Sequence, residues 1–406
     1  MAGVVIIGAG HAGGSAAGFL RQYGYTGDIT LVGAEPYLPY QRPPLSKAWL
    51  KGEAGLDDLY LRGENFYDDQ AVVTRLNTRC YAIDTAAKTV SMEGGSLAYD
   101  HLILATGSKA RPFMVKGADI VPHHVLRTLD DAETLKGALV PGHRLGLIGA
   151  GYVGLEVAAS ARKLGCEVTV FEREDRILSR VASAQLSEFF TQIHRDRGVR
   201  ILTQAMITEL SLGERDEKRV HLGNGEVHDF DILLVGIGAL PADDLAQQAG
   251  IACVNGIIVD NEARTSASDV FAIGDVTSRP LPFYDGRFRL ESVPNALEQA
   301  KQAAAAITGY RAPIIEAPWF WSDQYEFKLQ IAGLLQPDTH AVVRGDPASW
   351  AFSIFHLDGQ NRLRAVESAN RPADFMAAKQ LIAKGVALDE AVVADGNASL
   401  KPFLTA

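Results

Sequence analysis

Three cysteines in 406 residues are too few and too scattered for a disulfide framework or a metal cluster. Cys80, Cys166 and Cys253 form no CxxC pair and read as isolated buried thiols, so no metal site is expected. No run of about 18 apolar residues occurs, which excludes a membrane-spanning helix. A basic segment ahead of an apolar stretch is also missing at the start, so no secretory signal is expected and a reducing, cytoplasmic location follows as the default. Positive charge is in deficit: 39 Lys and Arg against 49 Asp and Glu leave a net charge of −10. That balance argues against a nucleic-acid binder held by phosphate contacts, although a local basic patch stays open. Low-complexity tracts are absent, and 47% apolar residues suffice for two or three packed domains of a compact soluble protein.

What the chain does have is glycine in two matching places. VVIIGAGHAGGSAAGFL opens at Val4 and LGLIGAGYVGLEVAASA at Leu145. Each reads as a short buried strand, a glycine turn and a helix, followed by a second strand: DITLVGAE, ending at Glu35, and EVTVFE, ending at Glu172. In G-x-G-x-x-G the first glycine makes the tight turn, the second lets the backbone approach a pyrophosphate, and the third lets helix and sheet pack closely. Gly8, Gly10 and Gly13 fit that pattern, as do Gly149, Gly151 and Gly154. The helix N-terminus supplies free N–H groups and a partial positive charge to the phosphates. An acid about 20 residues further on accepts from ribose hydroxyls, the place of Glu35 and Glu172. Glu172 would repel a 2′-phosphate and so favours NAD over NADP, while the neighbouring Arg173 pulls the other way.

Further strands with glycine-rich exits follow at DHLILATGSKARP, DFDILLVGIGALP and SDVFAIGDV. From Pro318 the pattern changes to the alternating runs FKLQIAGLL, HAVVRG, AFSIFHLDG and RLRAVESA, with a helical stretch from Ala373. The fold class is therefore α/β: two Rossmann-like dinucleotide-binding domains plus a C-terminal α+β domain. The first domain is discontinuous, 1–110 and 243–317, the second covers 111–242, and the third 318–406. Two dinucleotides in one chain suggest one electron path, from a nicotinamide that comes and goes to a flavin that stays. Gly274-Asp275 suits the flavin: the glycine permits backbone approach and the aspartate can accept from a ribityl hydroxyl.

PYQRPPLSKAWL at Pro39, ATGSKARP at Ala105, GAGYVGLEVA at Gly149, FAIGDV at Phe271, ESVPNALEQA at Glu291 and PWFWSDQY at Pro318 carry a resemblance over essentially the whole chain. The chain resembles the flavoprotein ferredoxin reductases that feed bacterial oxygenases and cytochrome P450 systems, within the glutathione-reductase-like superfamily. The resemblance implies tightly, non-covalently bound FAD held by Gly8, Gly10, His11, Ala12, Gly13, Glu35, Arg42, Pro44, Lys47, Ala105, Thr106, Gly107, Arg111, Gly274, Asp275, Glu291, Ser292, Val293 and Trp321. It implies an NADH site at Gly149, Gly151, Tyr152, Val153, Gly154, Glu156, Glu172, Arg173 and Arg180, with Gly236, Ile237 and Gly238 near the amide end. His11 is expected inside the first glycine loop, covering the phosphates. Ala34 stands where many relatives carry a second acid, which weakens the ribose assignment of Glu35.

By the same resemblance Lys47 lies near the reactive edge of the flavin, paired with Glu156, and Trp321 beside the ring system; these three are the expected catalytic residues. Trp319 shares the face of Trp321 if this segment is a strand, and a plain core role stays open for both. Pro294 suits the first turn of a helix whose N-terminus faces the flavin's pyrimidine side. The implied reaction passes hydride from NADH to the flavin and then single electrons to a 2Fe-2S ferredoxin docked near the flavin edge. Lys51, Arg287, Arg289, Arg311 and Lys328 are the candidate docking cations. A disulfide or peroxide reductase of this fold needs a redox cysteine against the flavin, where this chain has Ser46. A rubredoxin reductase, an NADH oxidase, or a signalling flavoprotein resembling apoptosis-inducing factor stays open, because fold and cofactors do not identify the acceptor.

Overall fold

A computed structural model describes residues 2–405, which divide into two compact units. The first takes the chain up to Arg42, then Leu56–Lys109 and Leu240–Glu316; the second takes Pro43–Gly55, Ala110–Ala239 and everything from Ala317. The segments Pro43–Gly55 and 317 onward thus group with the middle of the chain.

The first unit is built on a five-stranded parallel sheet in the order Val270–Ala272, His101–Leu104, Val4–Ile7, Ile29–Val32, Val72–Arg75. Val4–Ile7 is buried throughout because both faces of the sheet are covered, as parallel sheets require. Alternation sorts its side chains: Val4 and Ile6 join the cluster containing Ala16, Ala17, Leu20, Ala300 and Ala304, and Val5 and Ile7 join Ile83, Val90 and Met92 on the other face. The small residues of the helices His11–Gln22 and Val293–Thr308 let these two lie closely together.

The second unit holds a four-stranded parallel sheet in the order Val199–Leu202, Glu167–Phe171, Arg144–Ile148, Ile232–Val235. The helices Tyr152–Lys163 and Ala184–Asp196 share its apolar cluster. A five-stranded antiparallel sheet, ordered Trp319–Gln324, Phe327–Gly333, Leu363–Ala369, Ala351–Leu357, His340–Asp346, carries the helix Pro372–Lys384. Every alternating run read from the C-terminal sequence is one of these strands.

Some local expectations shift. The strand Ile29–Val32 stops short of Glu35 because its partners Val4–Ile7 and Val72–Arg75 both end level with Val32; from Gly33 the chain passes the first glycine loop so closely that a Cβ there would lie 2.6 Å from Ala9 Cβ. Glu167–Phe171 likewise ends just before Glu172. His11 is the first residue of its helix rather than part of the loop. Cys166 is buried, but Cys80 and Cys253 are only half-buried at the margin of their cluster, where desolvation pushes both thiols up to about 11. Among the described residues no helix is long and apolar enough to cross a membrane, and no group of three or more His, Cys, Asp or Glu could hold a metal ion.

Candidate active site

The two glycine loops have the same geometry. Gly8 and Gly149 adopt φ of +112° and +102°, and a Cβ at either would run into a carbonyl oxygen, that of Ala105 at 2.2 Å or of Gly236 at 2.5 Å. Gly13 and Gly154 are closed in turn by the carbonyls of Gly8 and Gly149, at 2.0 and 2.7 Å from the Cβ each would carry. At Gly10 and Gly151 the added Cβ would meet nothing within 4 Å. The middle glycine of each loop therefore faces open space, as a cradle for a pyrophosphate requires.

Both helices leave that cradle unsatisfied from within. The caps Gly10 and Gly151 make no side-chain hydrogen bond, and neither first turn holds an acid. The helix Leu129–Ala138, by contrast, is closed by a Thr128–Asp131 capping box. The free N–H groups at the two glycine helices suit phosphate oxygens.

In the first unit the remaining motif segments converge on this loop. Ala105 N–H donates to the Ile7 carbonyl at 2.8 Å, and Gly274, at φ +80°, would carry a Cβ 3.0 Å from Ala12 Cβ. Gln299 fixes the Gly-Asp turn by accepting from Gly274 N–H at 2.8 Å and Thr277 Oγ1 at 2.9 Å. Burial pushes the His11 imidazole down to about 4, with Asp275 opposing and Arg62 reinforcing. Its Nδ1 is buried with no hydrogen-bond partner, an orphan that a bound nucleotide could satisfy. Glu35 accepts from Tyr40 Oη at 2.5 Å and Arg42 at 2.8 Å, so it is held in place but already charge-paired. Thr106 Oγ1 donates to the Ala242 carbonyl, Ser108 Oγ lies 3.3 Å from Asp275 Oδ2, and Gly107 takes φ +70°. Ser292 caps the helix Val293–Thr308, with Pro294 in its first turn; Glu291 is paired with Arg289.

In the second unit Glu172 is tied to its own glycine loop: Oε2 accepts from Ala150 N–H at 2.9 Å and Oε1 from Glu174 N–H at 3.0 Å. Each oxygen keeps a lone pair for a ribose hydroxyl. Arg173 is turned to Glu174 at 2.7 Å. Arg180 and Arg111 are exposed; the Arg180 guanidinium lies 3.8 Å from where a Cβ at Gly238 would stand, and Arg111 N–H donates to the Gly238 carbonyl at 3.0 Å. Gly236 N–H donates to Ile148, Ile237 borders the apolar cluster beside it, and Val153 is exposed while Tyr152 packs edge-on against Phe320.

The same unit buries a charged pair. The helix Tyr152–Lys163 places Glu156 inward, one turn beyond the cradle, and the short 3-10 turn Pro43–Ser46 delivers Ser46 and Lys47 to it. Lys47 Nζ is 2.6 Å from Glu156 Oε2, with the side chains 18% and 6% exposed. Ser46 Oγ donates to Glu156 Oε2 at 2.5 Å, and Ser322 Oγ to Oε1 at 2.7 Å. A buried ion pair is tolerable only when such donors complete its hydrogen bonding. Trp319 and Trp321 share one face of their strand, ring centroids 5.8 Å apart. Neither serine nor Gln324 has a positive role in the sequence reading, although all three lie in quoted motifs; His194 lies in none.

Residues 2–300 match the pyridine nucleotide-disulphide oxidoreductase family and residues 319–404 the reductase C-terminal family. The chain belongs to the pyridine nucleotide-disulphide oxidoreductases. It is 43% identical over 400 residues to rhodocoxin reductase of Rhodococcus erythropolis, covering 98% of this chain and 93% of that one. Identity to the ferredoxin–NAD(+) reductase component of the anthranilate 1,2-dioxygenase system of Burkholderia cepacia is 40% over 402 residues, 98% of each chain. The reductase in the covalent putidaredoxin reductase–putidaredoxin complex superposes with a TM-score of 0.95 at 38% identity, covering 99% and 98% of the two chains. This oxidoreductase is thus one of the family's ferredoxin reductases, and membership implies a flavin and a pyridine nucleotide, which the two cradles fit. The disulphide of the family name has no counterpart at the Lys47 segment, where Ser46 stands.

Proposed function

We propose that the chain is an NADH-dependent reductase containing FAD, which delivers electrons one at a time to a 2Fe-2S ferredoxin serving a cytochrome P450 or a ring-hydroxylating oxygenase. When bound, the flavin takes hydride from NADH and gives up electrons singly. The observation that carries this reading is the buried Lys47–Glu156 pair beside Ser46: a fixed charge with no thiol redox partner. An oxidoreductase so built moves electrons outward rather than into a disulfide.

On this reading 1–110 with 243–317 form the FAD domain, 111–242 the NAD domain and 318–406 the C-terminal domain. Gly8, Gly10, Gly13 and the helix they open hold one pyrophosphate; Gly149, Gly151, Gly154 and Glu172 hold the other. Glu35, Arg42, Asp275 and the turn at Glu291–Val293 orient the FAD, and Lys47, held by Glu156, presents its charge near the reactive edge. Trp321 shields the ring. Positioning of this kind carries most of the catalysis in a two-cofactor enzyme.

Anaerobic stopped flow tests it. NADH should bleach the flavin faster than NADPH, and a 2Fe-2S ferredoxin should then restore the colour in a salt-sensitive phase. A protein reoxidised by rubredoxin or oxygen but by no ferredoxin has another acceptor; a protein without flavin overturns the reading.

A further inference from the structure

The Lys47–Glu156 pair is the inner end of a longer buried chain lying wholly within the second unit. Ser322 Oγ, which donates to Glu156, accepts from Gln324 Nε2 at 3.2 Å. Gln324 Oε1 lies 2.8 Å from His194 Nε2, and His194 Nδ1 lies 3.2 Å from Tyr325 Oη. Tyr325 sits under the Arg197 guanidinium at 4.6 Å, and Arg197 pairs with Glu326 at the surface. Ser322, Gln324 and His194 are fully buried.

The donors fix the direction of this chain. An ionised Glu156 only accepts, so Ser322 must donate to it, and Gln324 must turn its amide nitrogen to Ser322 and its carbonyl to His194. His194 then carries its proton on Nε2 and takes the Tyr325 hydroxyl on Nδ1. Both ends favour that arrangement: burial pushes His194 down to about 4, keeping it neutral, and pushes Tyr325 up to about 12, keeping its proton. Each link polarises the next toward the carboxylate.

We infer that His194 is a positioning residue for electron entry: through Gln324 and Ser322 it orients the donor that holds Glu156, and so fixes the charge of Lys47 presented to the flavin. The inference rests on the proposed role of Lys47. The charged and titratable groups around the chain are Lys47 just after the 3-10 turn, Arg162 in the last turn of the Glu156 helix, Tyr325 and Glu326 beside the strand, and Arg197 beyond the helix end. The strands Arg144–Ile148 and Glu167–Phe171 meet the Glu156 helix through Leu145, Leu147, Val168 and Val170.

The test compares His194→Leu, which breaks the chain, with His194→Gln, which can still donate to Gln324. Two readouts apply: the limiting rate of flavin reduction by NADH, and the midpoint potential of the bound flavin titrated without NADH. His194→Leu should slow reduction by up to about tenfold, the upper end for the loss of one neutral hydrogen bond, here that to Gln324. It should also shift the potential, with the NADH concentration for half-saturation unchanged; His194→Gln should stay within about twofold of the parent. Ser322→Ala, which removes the last donor directly, should match His194→Leu, and the double variant should lose no more than either alone. If His194→Leu does not fold, Gln324→Met takes its place in the cycle. Parent rate and potential in the chain-breaking variant, equal losses in His194→Leu and His194→Gln, or additive losses in the double variant would each overturn the inference. Lys47→Met distinguishes the underlying reading: if it too leaves rate and potential at parent values, the role of Lys47 fails and this inference with it.

Discussion

Lys47 and Glu156 illustrate how much a single buried charge depends on its neighbours. Replacing Lys47 by Met leaves a carboxylate only 6% exposed, with two serine donors and no cation. The expected cost is about 3 kcal/mol in urea unfolding, most of it recovered in the Lys47→Met/Glu156→Gln double variant. The glycines separate in the same manner. Gly10→Ala points into open space and should leave the apoprotein's stability nearly unchanged while weakening flavin retention. Gly13→Ala, 2.0 Å from the Gly8 carbonyl, should unfold the protein or prevent its accumulation. His194 makes a prediction about acid. Its imidazole falls from 6.5 to about 4 on folding, so the unfolded chain binds the extra proton between those values. That contribution is complete above pH 6.5 and is lost at up to about 1.4 kcal/mol per pH unit toward 4, with the buried His11 acting in the same sense. Unfolding of His194→Gln should show the shallower slope between pH 7 and 5. None of His194's role was legible in the sequence, because it depends on residues 130 positions apart.

Elements were more legible than their endpoints. The two strand–turn–helix units and the four C-terminal strands could be read from apolar periodicity, and Pro294 marked a helix start, to which the structure adds Ser292 as the cap. The premature end of Ile29–Val32 could not, since it is set by where the neighbouring strands Val4–Ile7 and Val72–Arg75 end. The uncapped ends of the glycine helices give the element-scale prediction. NADH at about a hundred times its Kd should add about 2.7 kcal/mol to stability, read as a rise in Tm. NADPH at the same concentration should add less, because Glu172 opposes the 2′-phosphate, and Glu172→Gln should narrow the gap between the two.

At the scale of the whole molecule, a chain of net charge −10 must meet any acidic partner through a restricted set of cations. Five were named from sequence, and the structure separates them. Lys51 and Arg289 are paired with Glu53 and Glu291, and Arg287 bonds the carbonyls of Val259 and Ser278. Lys328 and Arg311 are exposed, and no ion pair engages them among the described residues. Lys328→Glu should slow ferredoxin-dependent reoxidation of the flavin several-fold at low salt and have little effect at high salt, whereas Arg287→Glu should lower Tm instead. The grouping of Pro43–Gly55 with the second unit was equally hidden in the sequence. It rests on contacts such as Ser160 Oγ to the Ser46 carbonyl at 2.8 Å, which no local pattern announces.

Gly151 caps the helix that carries Glu156, so the two lie only about 7.5 Å apart along a single stiff rod. Any attempt to re-engineer the coenzyme preference by reshaping the loop before that rod will move the carboxylate as well. On the proposed roles of Glu156 and Glu172, donor choice and reduction rate are coupled design variables, and a specificity swap that ignores Ser46 and Ser322 should come at the expense of turnover.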